Sequence, residues 1–226
     1  MTKRVMLSWS SGKDSAWALQ RLRADPDVEL AGLFTTVNRE FDRVAMHGVR
    51  RSLLEAQAAS IGLPLQTIPI PHPCPNEEYE AAMSAFVARA KAGGVTHFAF
   101  GDLFLEDIRR YREQKLAGTG IEPLFPLWGE ATRALAQEMV AHGLRAAITC
   151  VDPKQAPREW AGRMFDGELL AAMPEGVDPC GERGEFHTFV CDGPMFREPV
   201  GVAVGEIVER DGFVFADLLP GIRAAR

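Results

Sequence analysis

The stretch Ser8-Trp9-Ser10-Ser11-Gly12-Lys13-Asp14-Ser15, directly after the apolar run Val5-Met6-Leu7, decides the fold of this chain. Lys3–Ser8 predicts a β-strand, and the polar segment after it predicts a turn leading into a helix that reaches about Arg23. In doubly wound sheets the loop at the carboxyl end of the first strand opens a crevice, and the helix that follows aims unpaired N–H groups into it. Ser10, Ser11 and Gly12 are small enough for the backbone to approach an anion closely. Lys13 adds a mobile positive charge, and the hydroxyls of Ser10 and Ser15 can donate hydrogen bonds. Asp14 beside a phosphate calls for a Mg²⁺ ion between the two, or for a helix cap. The GxxxxGK[ST] pattern fails here, because Asp14 follows Lys13 and no Gly stands five residues before Gly12; GxGxxG is also absent. The bland alternative is a polar turn that holds no ligand.

Working outward, short apolar runs alternate with helical patterns over the first two-thirds of the chain, which predicts βαβ units and a parallel sheet. Val28–Thr36, Leu65–Ile68, His97–Phe100 and Ala146–Val151 read as strands. Val49–Ile61 is amphipathic, with Leu53, Leu54, Gln57, Ala58 and Ile61 at helical spacing. Asn76 and Thr132 read as N-caps of further helices, and Leu105–Leu116 as another helix. After Pro153 the rhythm changes. Phe165–Ala172 reads as a short helix, a Gly- and Pro-rich loop follows, and Val202–Glu209 with Phe213–Asp217 forms a hairpin across Asp211-Gly212. The expected architecture is α/β: a parallel sheet with helices on both faces over residues 1–150, then a smaller α+β region over 151–226.

Composition narrows the function classes. Of the 226 residues, 46% are hydrophobic and 25% charged, an ordinary globular balance. The net charge of −6 gives no general attraction to a phosphate backbone, so nucleic acid is disfavoured as a partner. No stretch approaches the ~20 apolar residues of a membrane span, and the apolar part of the N-terminus stops at Ser8, short of a signal core. The cysteines Cys74, Cys150, Cys180 and Cys191 form no CxxC pair. A zinc site is therefore not expected, and the cytoplasm is the natural compartment.

The segment from Ser8 to Ser15 resembles the SGGKDS loop of the PP-loop ATP pyrophosphatases, with Ser11 in place of the first Gly. Two further motifs, Gly101-Asp102-Leu103-Phe104-Leu105-Glu106-Asp107 and Gly181-Glu182-Arg183-Gly184-Glu185-Phe186-His187-Thr188, extend the likeness over nearly the whole chain. Together the three are similar to the diphthine–ammonia ligase family. That resemblance implies a Rossmann-like ATP-binding domain with a C-terminal substrate region. It implies amide formation, in which a carboxylate is activated as an acyl-adenylate, pyrophosphate leaves, and ammonia attacks. Diphthamide-making members resemble Glu-Gly-Gly-Glu-aromatic-Glu-Thr in the third motif. Here Arg183 replaces a Gly and His187 replaces the second acid, as in bacterial members linked to corrinoid salvage.

ATP is expected on Ser8, Ser10, Ser11, Gly12, Lys13, Ser15, Gly101 and Asp102, and Mg²⁺ on Asp14 and Asp102. Asp102, at the end of a strand, is equally readable as a turn residue. Lys13, Asp14, Glu185 and His187 are the expected catalytic residues, with His187 as a general base. His47, Glu106, Arg109 and Glu182 are the expected substrate contacts. The plain alternatives are a surface histidine at His47, a solvated ion-paired helix face at Glu106 and Arg109, and a structural loop for the third motif. The expected partners are ATP, ammonia and a carboxylate-bearing substrate, either a small acid or a modified protein side chain. The apolar C-terminal strands leave inward packing and a homodimer interface both open. Two other functions compete: sulfur transfer to tRNA through Cys150 or Cys180, and a nucleotide-binding module without catalysis.

Overall fold

The computed structural model describes residues 2–41, 43–44 and 48–221. The first sheet is built from β1 (Lys3–Ser8), β2 (Val28–Asn38), β3 (Arg43–Val44), β4 (Leu65–Ile70), β5 (His97–Ala99) and β6 (Glu122–Leu124). Five of these run parallel in the order β4-β2-β1-β5-β6. The two-residue β3 alone is antiparallel, folding back on Val37 and Asn38 of β2. Pro69 and Pro123 lie in the two outer strands, where a missing N–H costs no ladder bond on the open side.

Helices α1 (Lys13–Ala24), α2 (Arg51–Ile61), α3 (Asn76–Ala92) and α4 (Glu106–Leu116) supply the crossovers. The period of two along β1 divides the core between the faces. Val5 and Leu7 pack with Trp17 and Leu19 of α1 and Leu53 and Leu54 of α2. Met6 packs with Phe86 of α3 and Leu116 of α4. The buried side of α2 consists of Leu53, Leu54, Gln57, Ala58 and Ile61, the set its spacing predicts. Asn76 and Thr132 are not the caps expected. Each is the first helical residue, after Pro75 and Ala131 respectively. The Thr132 hydroxyl instead donates to Asp178, 2.7 Å away.

After α5 (Thr132–Ala141) the chain changes sheet. β7 (Arg145–Val151), expected to continue the βα rhythm, is the centre of a second, antiparallel sheet with β8 (Met164–Phe165), β9 (Phe186–Asp192), β10 (Val202–Arg210) and β11 (Phe213–Pro220). The change therefore comes between β6 and β7, ahead of the division placed near 150. The short helix expected over Phe165–Ala172 is confined to α6 (Gly167–Ala171), because β8 takes Phe165. The β10–β11 hairpin turns at Asp211 and Gly212, both at positive φ, the backbone that a two-residue type I′ turn demands.

One core cluster runs from Leu7 and Trp17 through Ala146, Ile148, Phe186 and Phe189, so the second sheet packs on the α1–α2 face of the first. The C-terminal hairpin divides its apolar residues. Val214, Ala216 and Leu218 are buried, whereas Val204, Ile207, Val208 and Leu219 are exposed. No helix among the described residues is long and apolar enough to cross a membrane.

Candidate active site

Strand order reverses between β1 and β5, and at their carboxyl ends lies a cavity of about 220 Å³. Open α/β sheets bind ligands at this switch point. The cavity wall includes Ser8, Ser10, Gly12, Lys13, Asp14 and Ser15 from the first motif, Gly101 and Asp102 from the second, and Glu182, His187 and Thr188 from the third. Motifs that are far apart in sequence thus converge on one place.

The first motif is bent by Ser11, whose φ of 70° puts it in the left-handed region, and Gly12 then caps α1. The Ser10 and Ser15 hydroxyls lie 3.1 Å apart, and Ser15 donates to the Gly12 carbonyl at 2.9 Å. The second sheet holds this loop in place. The Lys13 N–H donates to the Thr188 hydroxyl at 3.1 Å, and the Val190 N–H donates to the Ser11 carbonyl at 2.9 Å. The buried Gln57 of α2 accepts from Trp9 Nε1 at 2.9 Å and donates to the carbonyls of Ser11 and Val190, at 3.1 and 2.7 Å. Gly101 is required by close approach, since a Cβ there would lie 2.9 Å from the Asp14 backbone carbon and 3.0 Å from the Ser15 nitrogen.

Lys13 is not the mobile cation its position suggests. Its side chain is only 2% exposed, and its ammonium donates to the Cys180 carbonyl and to Asp14 at 2.9 and 3.1 Å. It also lies 5.6 and 5.4 Å from the ring centres of Phe165 and Phe186. Burial works to lower its proton affinity, but the Asp14 carboxylate, together with Cys180 and Glu182, outweighs that and holds Lys13 above the ordinary lysine value. Burial likewise pushes the Asp14 carboxyl up, against the pull of Lys13. Asp102 is forked by Arg112 at 2.5 and 2.9 Å, with the guanidinium 4.3 Å from the centre of the Phe100 ring.

The third motif is not wholly the loop expected. Gly181–Glu185 is a turn, but His187 and Thr188 belong to β9, opposite Cys150 and Ile148 of β7. Burial, with a smaller contribution from Lys13, lowers His187 to about 4, so its imidazole is neutral at pH 7. Glu182 accepts the Leu103 N–H at 2.8 Å, and burial, with Asp14 and Asp102 nearby, pushes its carboxyl up to about 7.

Several expected contacts are not on the cavity wall. Glu185 is buried with its oxygens turned to the amides of Asp178 and Arg183, each at 2.9 Å, so it ties the turn together. Ser11 is fully buried, and its hydroxyl has no hydrogen-bond partner among the described residues. Glu106 is exposed. Arg109 pairs with Glu113 at 2.8 Å and stacks on Phe125 and Trp128. His47 lies outside the described residues. Two residues that the sequence did not single out matter here: Arg112, which has no motif to mark it, and Asp178, whose carboxylate accepts from Thr132, Cys180 and Glu182.

Among the described residues no group of three or more acidic, His or Cys side chains could cage a metal. The donors do fit Mg²⁺ carried in by phosphates, which needs only one or two carboxylates. Asp14, with 26% of its side chain exposed, suits that role; Asp102 is closed off by Arg112. Burial raises the thiols of Cys150, to about 12, and of Cys180, which leaves both protonated and poor as sulfur carriers. A larger cavity of about 460 Å³ between α3 and α4 shares Phe100 and Arg112 with the first, but its wall is mostly apolar.

Comparison with known proteins matches the chain across all three motifs. Residues 3–121 match the family model described as diphthamide synthase N-terminal domain, and residues 131–216 match the one described as diphthamide synthase C-terminal domain. The chain is 27% identical to the diphthine–ammonia ligase of Bos taurus over 235 residues, covering 94% of this chain and 88% of that protein. It is 26% identical to the Homo sapiens protein of that name over the same shares. Against the Danio rerio one it is 34% identical over 118 residues, 50% of this chain and 46% of that protein.

Proposed function

Because the chain belongs to the diphthamide synthase family, we propose that its cavity splits ATP into AMP and pyrophosphate to join ammonia to the carboxylate of a diphthine-bearing protein. The observation that carries this reading is the meeting of all three motifs on one wall at the switch point. The N–H groups at the start of α1, the Ser10 and Ser15 hydroxyls and Lys13 are the groups suited to the phosphates. Lys13 must then exchange Asp14 for phosphate oxygen, and the rings of Phe165 and Phe186 keep it dehydrated and its charge strong. Mg²⁺, held by Asp14 and phosphate oxygens, would neutralise charge on the departing pyrophosphate. The neutral His187 accepts or donates one hydrogen bond at the reacting carboxylate without adding charge. The rest is alignment of carboxylate, phosphorus and leaving group, worth several kcal/mol by proximity alone.

A small-acid acceptor is the second reading. What favours it is imidazole at His187, on the wall, in place of the acid carried by diphthamide-making relatives. The deciding experiment supplies ATP, magnesium and ammonium with either a diphthine-bearing protein or a panel of small acids, and follows AMP, pyrophosphate and amide. We expect AMP and pyrophosphate with the protein acceptor. AMP with a small acid only would move the assignment to that acid, and ADP with phosphate would reject it altogether. Lys13→Ala should lower AMP formation by about 100-fold or more, the usual scale for losing one transition-state charge contact. Near-normal turnover in that variant would remove Lys13 from the mechanism.

A further inference from the structure

We propose that Glu182 receives the nitrogen donor: its carboxylate binds the incoming ammonium ion and takes the proton that must leave before nitrogen attacks. The inference rests on the ligase reading above and comes from how charges are paired on the cavity wall. Three carboxylates line it. Asp14 is held by Lys13 and Asp102 is forked by Arg112, so each already has a cation. Glu182 forms no ion pair among the described residues, and Lys13 acts on it only at longer range, more weakly than on Asp14. One of its oxygens accepts the Leu103 N–H, which fixes the side chain at the carboxyl end of β5 and leaves the other oxygen available to the cavity.

A carboxylate in a desolvated pocket is costly without a partner, so the site is built for a cation that arrives during the reaction. Magnesium needs a nearly octahedral oxygen shell and travels with phosphates, whose donors come from the β1–α1 loop. Glu182 reaches the cavity from another element, the turn before β9, and offers one oxygen to a small cation with hydrogen-bond donors. Of the other charged or titratable groups on the wall, Lys13 from α1 and Arg112 from α4 repel ammonium. Asp14 and Asp102 are engaged by those two, and the Cys180 thiol and His187 imidazole are neutral.

The chemistry balances as follows. Ammonium gives one proton to Glu182, and the freed nitrogen lone pair forms the C–N bond at the acyl carbon. The bond from that carbon to the AMP oxygen breaks with its electron pair on AMP, and the nitrogen loses a second proton to water.

Glu182→Gln keeps an oxygen for the Leu103 N–H while removing the charge. Acyl-dependent AMP formation is first measured in the wild-type protein. If there is none, the ligase reading falls, and this inference with it. Given that activity, Glu182→Gln should lower kcat/KM for ammonium chloride by about 100-fold, the scale of general-base losses. Acyl-driven exchange of pyrophosphate into ATP should fall far less. Hydroxylamine, unprotonated at neutral pH, should lose less than ammonium, and Glu182→Asp should recover part of the loss. An unchanged KM for ammonium would overturn the proposal. So would equal losses in exchange and amide formation, or rescue of Glu182→Gln by added magnesium.

Discussion

Glu185 and His187 stand two positions apart and have opposite surroundings, which makes them separable by experiment. Glu185 accepts two backbone amides inside the 178–185 turn. Glu185→Gln replaces one acceptor oxygen by a donor facing an N–H, and should cost about 1–3 kcal/mol of stability, read from the urea midpoint. Loss of turnover in that variant with an unchanged midpoint would restore Glu185 to the chemistry. His187 is lowered to about 4 from an ordinary 6.5, so between those values the unfolded chain binds more protons than the folded one. Its contribution is therefore complete above about pH 6.5 and is lost as pH falls towards 4. Glu182, raised from 4.5 to about 7, acts in the opposite sense, its contribution being complete below 4.5 and lost as pH rises through 7. Comparison with His187→Gln isolates the histidine part: the variant should lose less stability than wild type between pH 6.5 and 4, and parallel profiles would refute the shift. Sequence legibility at this scale was uneven. Lys13 and Asp14 declared themselves by their loop, but that they hold each other, and that Glu185 turns away, depends on neighbours such as Cys180, 167 residues along, or on a turn with no regular period.

Between elements, Gln57 is the clearest link. It lies on the buried side of α2 among Leu53, Leu54 and Ala58, and bonds to Trp9, Ser11 and Val190. It fastens one helix to the β1–α1 loop and to β9 at once. Gln57→Leu keeps the volume but leaves the Trp9 N–H and the Val190 carbonyl short of a partner, while the Ser11 carbonyl keeps the Val190 N–H. The expected cost is about 1–3 kcal/mol for each group left unsatisfied, with a raised KM for ATP. A variant as stable as wild type would show that the loop holds itself. Helical spacing located Gln57 without revealing this, because a period says which side is buried and not what lies opposite. For the same reason β1, α1, α2 and the C-terminal hairpin were legible, each carrying its own periodicity or turn residues. β3, β6 and β8 are two or three residues long, too short to show a period, and β9 was hidden by the Gly-rich motif that runs into it.

Across the whole molecule, one core cluster joins both sheets, from Val5 and Leu7 in β1 to Phe189 in β9 and Val214 in β11. The chain should therefore unfold in a single cooperative transition, with fluorescence of Trp9 and Trp17 and far-ultraviolet circular dichroism changing together. Two separated transitions would show that the sheets are independent. By itself the sequence settled the βα alternation, the place of the small polar loop after the first strand, and the likeness that names the reaction type. These are local properties, written in periods, turn residues and contiguous motifs. Only the tertiary structure decided that β7 leaves the parallel sheet for the antiparallel one, that β9 closes over α1, and which acids face the cavity. Those outcomes depend on long-range pairing and on which charges find partners after burial, and no run of neighbouring residues encodes either.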